Sequence, residues 1–380
     1  MAIERTPLSA AELSATAQKA VVSGPTRMMA ARGLLPMAPA DQAAVLYQLS
    51  CDADTAVAAA ARTTATGLPE KLLVGVLGGR LDPRILDFFS SLHGDKHAVL
   101  EAVILNASTA DATIATLASR SAAREIDLIA QNEVRLLRHP EIIGAMYLNP
   151  KARMSTVDRA VELAVRNGVR VPGVAAWEEV ARALSGGHAA HASPEVDALF
   201  SVAAARLTGD DSVLTVGDPD SLAVSEGGEI QDVADLPPEL TPDAAKAHVE
   251  KLSVPAKIRL ATIGNAFARS MLIRDPLRII AMAAIKSERV TPFEAARYAS
   301  NASIGEDVIK YIAQKREWTK PYNVKMALCM NPKAPAADVA RLLPHLRDRD
   351  LRNVSKSKGI PSAVAAQARK LLMQRASPQK

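Results

Sequence analysis

Ile129-Ala130-Gln131, followed downstream by Asn149-Pro150-Lys151, recurs later in the same chain as Ile312-Ala313-Gln314 and Asn331-Pro332-Lys333. The stretch between the glutamine and the asparagine has almost the same length in the two copies. The similarity extends to both sides of these segments at a nearly constant offset. Because internal repetition of this kind is typical of repeat proteins, the sequence predicts an architecture more clearly than it predicts any chemistry.

A shorter spacing of 43 residues lies inside this duplication. Thr63 lies one such spacing before Asn106, and Asn106 lies one spacing before Asn149. Glu288 likewise lies one spacing before Asn331. Each position ends an apolar run with helical spacing, and each is followed by proline or small polar residues and then by another helical run. Since two helices fit in such a length, we interpret the spacing as a repeat of paired helices.

This arrangement of paired helices resembles the HEAT and armadillo repeat proteins, and the Asn-Pro-Lys turns resemble those of leucine-rich-repeat-variant proteins. The resemblance covers residues 34–375 and concerns architecture alone. It implies an all-α fold, an α-solenoid of HEAT-like helical pairs in which neighbouring repeats stack to bury their apolar faces. We therefore expect more than half of the chain to be helical, with almost no sheet. We also expect Asn106, Asn149 and Asn331 to occupy equivalent corners between helices.

Composition agrees with a helical protein that does not cross a membrane. Of the 380 residues, 48% are hydrophobic but only 3% are aromatic, and alanine-rich runs such as residues 56–61 suit closely packed helices. No apolar run reaches the roughly 18 residues that a membrane-spanning helix needs, and residues 1–18 lack the pattern of a signal peptide. We expect a cytoplasmic protein. Its two cysteines, Cys51 and Cys329, are too few for a disulfide framework or a zinc site, so we interpret them as buried packing residues.

The composition divides the chain into four segments. Residues 1–33 are an N-terminal leader that caps the repeats at most, and residues 34–185 form a first helical repeat block. Residues 186–241 form an acidic, partly disordered insertion with one helix over 194–207. Residues 242–375 form a basic second helical repeat block. The sequence leaves open whether the solenoid is continuous or is split by the insertion, and it does not indicate the oligomeric state.

Charge is the most informative functional feature of the sequence. Residues 1–189 have no net charge, residues 190–250 have a net charge of −11, and residues 251–380 have a net charge of +16. The second block therefore attracts anionic partners. Three classes of partner remain open, namely nucleic acid, an acidic protein or anionic membrane surface, and the chain's own acidic insertion. We hypothesise that the insertion folds over the basic block and regulates it.

The densest basic stretch, residues 315–325, interleaves cations with Trp318 and Tyr322, a combination that can hold phosphates and stack bases. In the alternative interpretation, both rings fill a turn between repeats while the lysines remain solvated. A second stretch, residues 347–352, alternates Arg with Asp and predicts an exposed, ion-paired turn. The candidate binding residues are Lys315, Arg316, Trp318, Lys320, Tyr322, Lys325, Arg341 and Lys356.

Catalytic and metal-binding patterns are weak in this sequence. His93 and His97 are four residues apart, but Gly94 and a predicted helix start at Asp95 disrupt the geometry that a shared metal would need, so we interpret both as exposed turn residues. We assign no catalytic residue, metal or cofactor. We expect a non-catalytic helical-repeat scaffold that binds a protein partner through an extended surface. The alternative is a nucleic-acid-binding protein, or a HEAT-like nucleic-acid enzyme, that uses the basic second block.

Overall fold

The computed structural model describes residues 5–22, 24–185, 193–208 and 242–376. Helices account for 71% of these residues, and no strand occurs among them. The predictions of an all-α fold and of a helix content above one half are therefore confirmed for this part of the chain. The chain forms two compact units, Met1–Gly173 and Val174–Lys380.

The first unit contains twelve α-helices in its described residues, together with a 3-10 turn at Ala10–Glu12. The helices are α1 (Ala15–Val22), α2 (Gly24–Ala31), α3 (Pro39–Ser50), α4 (Thr55–Gly67), α5 (Glu70–Leu77), α6 (Pro83–Leu92), α7 (His97–Leu105), α8 (Asp111–Arg120), α9 (Ala123–Ala130), α10 (Glu133–Arg138), α11 (Glu141–Leu148) and α12 (Met154–Arg166). Helix α1 packs on α3, α3 on α5, α5 on α7 and α7 on α9. The predicted leader therefore contributes a helix that packs directly on the repeats that follow it.

The second unit also contains twelve α-helices in its described residues, with a 3-10 turn at Leu343–His345. The helices are α13 (Trp177–Ser185), α14 (Pro194–Leu207), α15 (Pro242–Glu250), α16 (Val254–Ile263), α17 (Ala266–Leu272), α18 (Arg278–Lys286), α19 (Pro292–Ser300), α20 (Glu306–Gln314), α21 (Tyr322–Met330), α22 (Ala336–Leu342), α23 (Asp348–Lys356) and α24 (Ser362–Ala376). Helix α13 packs on α16 and α18, so residues 177–185 belong to this unit.

Helices α18 to α24 follow one another closely along the chain, and each helix from α18 to α22 packs against the next helix but one. The prediction of two helices in 43 residues is wrong, because three helices, α19, α20 and α21, lie between Glu288 and Asn331. The physical reason is helix length, since α18 to α23 have only seven to nine residues each. Two such helices with their turns occupy a shorter stretch of chain than the predicted repeat.

Helices α16 and α17 meet at a tight junction around residue 264. Helix α16 ends before Gly264, and Asn265 caps α17 by accepting a hydrogen bond from the Ala268 N–H at 3.0 Å. A Cβ at Gly264 would lie 2.5 Å from the Leu260 carbonyl oxygen and 2.7 Å from Ala268 Cβ, so only glycine fits this junction.

The helix predicted over residues 194–207 is confirmed as α14. Its Phe200 is buried, and the guanidinium of the equally buried Arg259 lies 4.4 Å from the centroid of the Phe200 ring. Helix α14 is therefore part of the packed second unit. Residues 209–241 lie outside the described residues. The hypothesis that this acidic stretch covers the basic block therefore stays a prediction.

Asn106 connects the end of α7 to the end of α5. Its side-chain Nδ2 donates to the carbonyl oxygens of Leu77 at 2.6 Å and Gly79 at 2.7 Å. Its Oδ1 accepts from the Ser108 N–H at 2.8 Å. The last carbonyls of an α-helix have no partner within the helix, so this amide supplies hydrogen bonds that the end of α5 otherwise lacks.

Asn149 and Asn331 make the same bonds at the ends of α11 and α21. The carbonyl acceptors are Ala118 (2.9 Å) and Ser121 (3.0 Å) for Asn149, and Ala299 (2.6 Å) and Asn301 (3.5 Å) for Asn331. Both amides also accept from the backbone N–H two residues later, and both side chains are buried. The three asparagines therefore make equivalent side-chain bonds at helix ends, whereas the assignment of these ends to successive repeats of paired helices stays a prediction.

A pair of glycine substitutions tests the packing of the first unit. A Cβ at Gly144 in α11 would lie 2.5 Å from the Pro172 carbonyl oxygen, whereas a Cβ at Gly75 in α5 would meet no atom within 4 Å. We expect Gly144→Ala to lower the free energy of unfolding by about 1–3 kcal/mol through overpacking. We expect Gly75→Ala to raise the free energy of unfolding by about 0.5–1 kcal/mol, because alanine favours a helix and has fewer conformations than glycine in the unfolded chain. Urea denaturation followed by circular dichroism measures both, and a neutral Gly144→Ala would contradict the close approach.

Candidate functional site

Trp318 lies in the turn between α20 and α21 and is only 3% exposed. The ring packs edge-on against Tyr311 with centroids 5.9 Å apart, and the Lys315 Nζ lies 4.1 Å from the centroid of the indole. A buried ring covered by a cation has no face open to a nucleobase. This geometry supports the interpretation that Trp318 fills the turn between helices.

Tyr322, the first residue of α21, is held by the start of α23. Its hydroxyl donates to the Asp350 carboxylate and accepts from the Arg347 N–H at 3.0 Å. The Arg347 guanidinium lies 5.0 Å from the centroid of the ring. Burial, followed by the hydrogen bond to Asp350, raises the pKa of Tyr322 above its usual value. The side chain therefore serves as a link between α21 and α23.

The remaining candidates are cations spread over several elements. Arg316 and Lys320 are exposed in the turn, Lys325 is partly buried on α21, Arg341 is exposed on α22, and Lys356 is exposed at the end of α23. Arg341 forms an ion pair with Asp338, one turn earlier on its own helix. Among the eight candidates, the structure shows direct contact between Lys315 and Trp318. The assignment of the set to one binding surface remains a prediction.

The stretch predicted as an ion-paired turn, residues 347–352, instead opens helix α23. Its acidic residues do not pair with the arginines beside them in the sequence. Asp348 lies 2.7 Å from Arg375 Nη1, and Asp350 accepts from Tyr322. The prediction is wrong because adjacent residues of a helix project in different directions, so opposite charges side by side in the sequence need not meet in space.

The two histidines have separate partners. His93 is buried, stacks on Phe89 with ring centroids 6.2 Å apart, and places Nε2 3.1 Å from the Ala65 carbonyl oxygen. Burial lowers the pKa of His93. His97 Nδ1 lies 2.5 Å from Glu125 Oε1. The prediction that both histidines are exposed is wrong for His93, and the described residues contain no group of three His, Cys, Asp or Glu side chains placed to hold a metal ion.

A groove of about 500 Å³ lies in the first unit, where the ends of α7 and α9 meet α8 and α10. Its floor includes the buried Ile114 and Ile129. Its rim carries Leu105 and Val134, which are 64% and 75% exposed. A smaller cavity of about 90 Å³ shares Gln131 and Glu133 with the groove and continues towards α12. Sequence reasoning missed this groove because its lining comes from four helix ends.

The polar groups of the groove are mostly engaged within the protein. Asn106 bonds to the end of α5, and Arg135 donates to the Thr109 carbonyl at 3.2 Å while its Nε lies 3.2 Å from Asp111. Glu133 is exposed, and its carboxylate forms no ion pair within the described ranges. The groove therefore combines two exposed apolar side chains, Leu105 and Val134, with one carboxylate that is available to a ligand.

Comparison with known proteins finds no matching protein family, curated protein or solved structure. Within the described part of the chain, every helix is too short or too polar to cross a membrane. What this chain binds must therefore be inferred from its own surface chemistry.

The two cysteines give a direct test of burial in these units. Cys329 is buried, and burial raises the pKa of its thiol to about 12, whereas Cys51 at the end of α3 is only half-buried. At mildly alkaline pH we expect Ellman's reagent to modify Cys51 rapidly in the native protein, because this residue is partly exposed. Cys329 should react only after a denaturant is added. Cys51→Ser should remove the fast phase, and rapid modification of Cys329 in the native protein would contradict its burial.

Proposed function

We propose that this chain is a non-catalytic helical-repeat scaffold and that the groove of its first unit binds an extended segment of a partner protein. The observation that carries the proposal is the exposure of Leu105 and Val134 at the rim of a groove with an apolar floor. Exposed apolar side chains around a concave surface are typical of protein-interaction sites. Burial of each side chain by a partner stabilises a complex by roughly 1.5–3 kcal/mol before the costs of association.

We further propose that each unit is a HEAT-like α-solenoid. The packing of helices on the next but one, and the asparagine bonds between helix ends, support this architecture. The residue immediately before each of these asparagines is an exposed apolar side chain, namely Leu105 (64% exposed), Leu148 (41%) and Met330 (37%). A repeat that presents the same kind of side chain at each step suits the recognition of an extended ligand.

The chemistry of the groove indicates the kind of segment that it accepts. An apolar side chain of the partner would lie between Leu105 and Val134, and a lysine or arginine next to it would pair with Glu133. The ion pair adds little affinity at an exposed rim, but it fixes the direction and register of the segment.

A selection from a random peptide library on the intact protein tests this proposal. We expect enriched peptides to contain a large apolar residue next to a lysine or arginine. Fluorescence polarisation should show that Val134→Glu weakens their binding by about tenfold or more, which corresponds to about 1.4 kcal/mol. Val22→Glu is the matched control, because Val22 is also an exposed valine (78%, against 75% for Val134) and lies outside the groove lining.

Two results would contradict the proposal. One is a selection that yields no binding peptide. The other is a set of peptides whose affinity falls equally in Val134→Glu and Val22→Glu, since binding would then not involve the groove.

A further inference from the structure

The exposed side of α23 carries a line of cations. Arg349, Arg352 and Lys356 lie three and four residues apart, so they project from the same side of the helix. All three are exposed, and the buried Leu351 and Val354 occupy the opposite side. The line follows two turns of α-helix, which is a length of about 10 Å.

The acidic residues of α23 do not neutralise this line. Asp348 pairs with Arg375 at the end of α24, and Asp350 accepts from the Tyr322 hydroxyl. Arg349, Arg352 and Lys356 form no ion pair within the described residues. The folded structure therefore separates charges that are interleaved in the sequence, and it leaves the cations free to meet an external anion.

The neighbouring segment carries further exposed cations. Helix α24 packs on α23, and Lys358, Arg369 and Lys370 are exposed on the connection and on α24. None of these three forms an ion pair within the described part of the chain. The last two helices thus expose six cations that no carboxylate of the described residues pairs with.

We infer that the line of cations on α23 binds the phosphate backbone of duplex nucleic acid. A B-form duplex carries one phosphate per about 1.7 Å of its axis when both strands are counted, so a stretch about 10 Å long carries about six phosphates, and those on the near side can meet the three cations. Contacts of this kind hold the duplex without reading its sequence. The inference does not depend on the groove of the first unit.

Two other anionic ligands fit this line of cations less well. Binding of single strands relies on aromatic side chains that stack on the bases, and Trp318 is buried while Tyr322 is bonded to Asp350. Helices that lie on membranes insert Trp, Phe or Leu into the lipid. The exposed residues of α23 are all polar, namely Asp348, Arg349, Arg352, Asn353 and Lys356.

Neutralising the line tests the inference in the intact protein. The test variant is Arg349→Gln/Arg352→Gln/Lys356→Gln. The matched control is Lys151→Gln/Arg166→Gln/Arg170→Gln, which removes the same charge from exposed positions of the first unit. The probe is a fluorescein-labelled duplex DNA of about two helical turns and arbitrary sequence, titrated by fluorescence polarisation at several salt concentrations. The same single strand and vesicles of phosphatidylcholine with phosphatidylserine are titrated in parallel.

We expect the wild-type protein to bind the duplex more tightly than the single strand. The plot of log affinity against log salt concentration should be less steep by about 2.7 in the test variant, because each lost phosphate contact contributes about 0.9. The control variant should retain the wild-type slope. Circular dichroism should show that both variants are folded.

Three results would overturn the inference. The first is absence of duplex binding at low salt, and the second is an equal change of slope in the test and control variants. The third is a protein that does not bind the duplex but binds the vesicles, and whose vesicle binding is lost in the test variant. The line of cations would then be a membrane-contact surface.

Discussion

The bond from a buried asparagine amide to the open carbonyls of an earlier helix is the constraint on which these units depend. Short helices leave many terminal carbonyls without partners, and Asn106, Asn149 and Asn331 each supply two N–H donors where such carbonyls are buried. After α18 a serine, Ser287, takes the position of the asparagine, and two side chains supply the hydrogen bonds to the end of α16. Ser287 donates to the Thr262 carbonyl oxygen at 3.0 Å, and Arg289 donates to the Ile263 carbonyl oxygen at 2.8 Å.

The same constraint connects the fold to the proposed groove. The Asn106 amide fixes the end of α7 against the end of α5, and Leu105 immediately before it lies at the rim of the groove. The short helix α10 lies between α9 and α11, so Asn149 bonds to the end of α8, three helices back, rather than to the next helix but one. The irregular step at α10 is also where Glu133 and Val134 line the groove.

The sequence predicted the features that depend on local signals. Proline at the helix start identified α14 to the residue, and the repeated asparagines identified positions that make equivalent side-chain bonds at helix ends. The features that depend on three-dimensional neighbours could not be predicted in this way. The alternating charges of residues 347–352 predicted local ion pairs in a turn instead of the start of α23. The actual partner of Asp348 is Arg375, which is distant in the sequence. The sequence also could not decide whether Trp318 is buried, because a ring that fills a turn and a ring that stacks on a base have the same sequence context.

The most direct test of this account is the free energy of unfolding of Asn331→Asp, compared with that of Asn353→Asp in the same unit. Asn331 is buried and donates to Ala299 at 2.6 Å, whereas Asn353 is exposed on α23. The first change places a carboxylate against a carbonyl oxygen and removes the donor, so urea denaturation should show a loss of about 2–4 kcal/mol. The second change should stay within about 0.5 kcal/mol of the wild-type protein. Equal and small effects of the two changes would contradict the claim that asparagine bonds hold successive helices together.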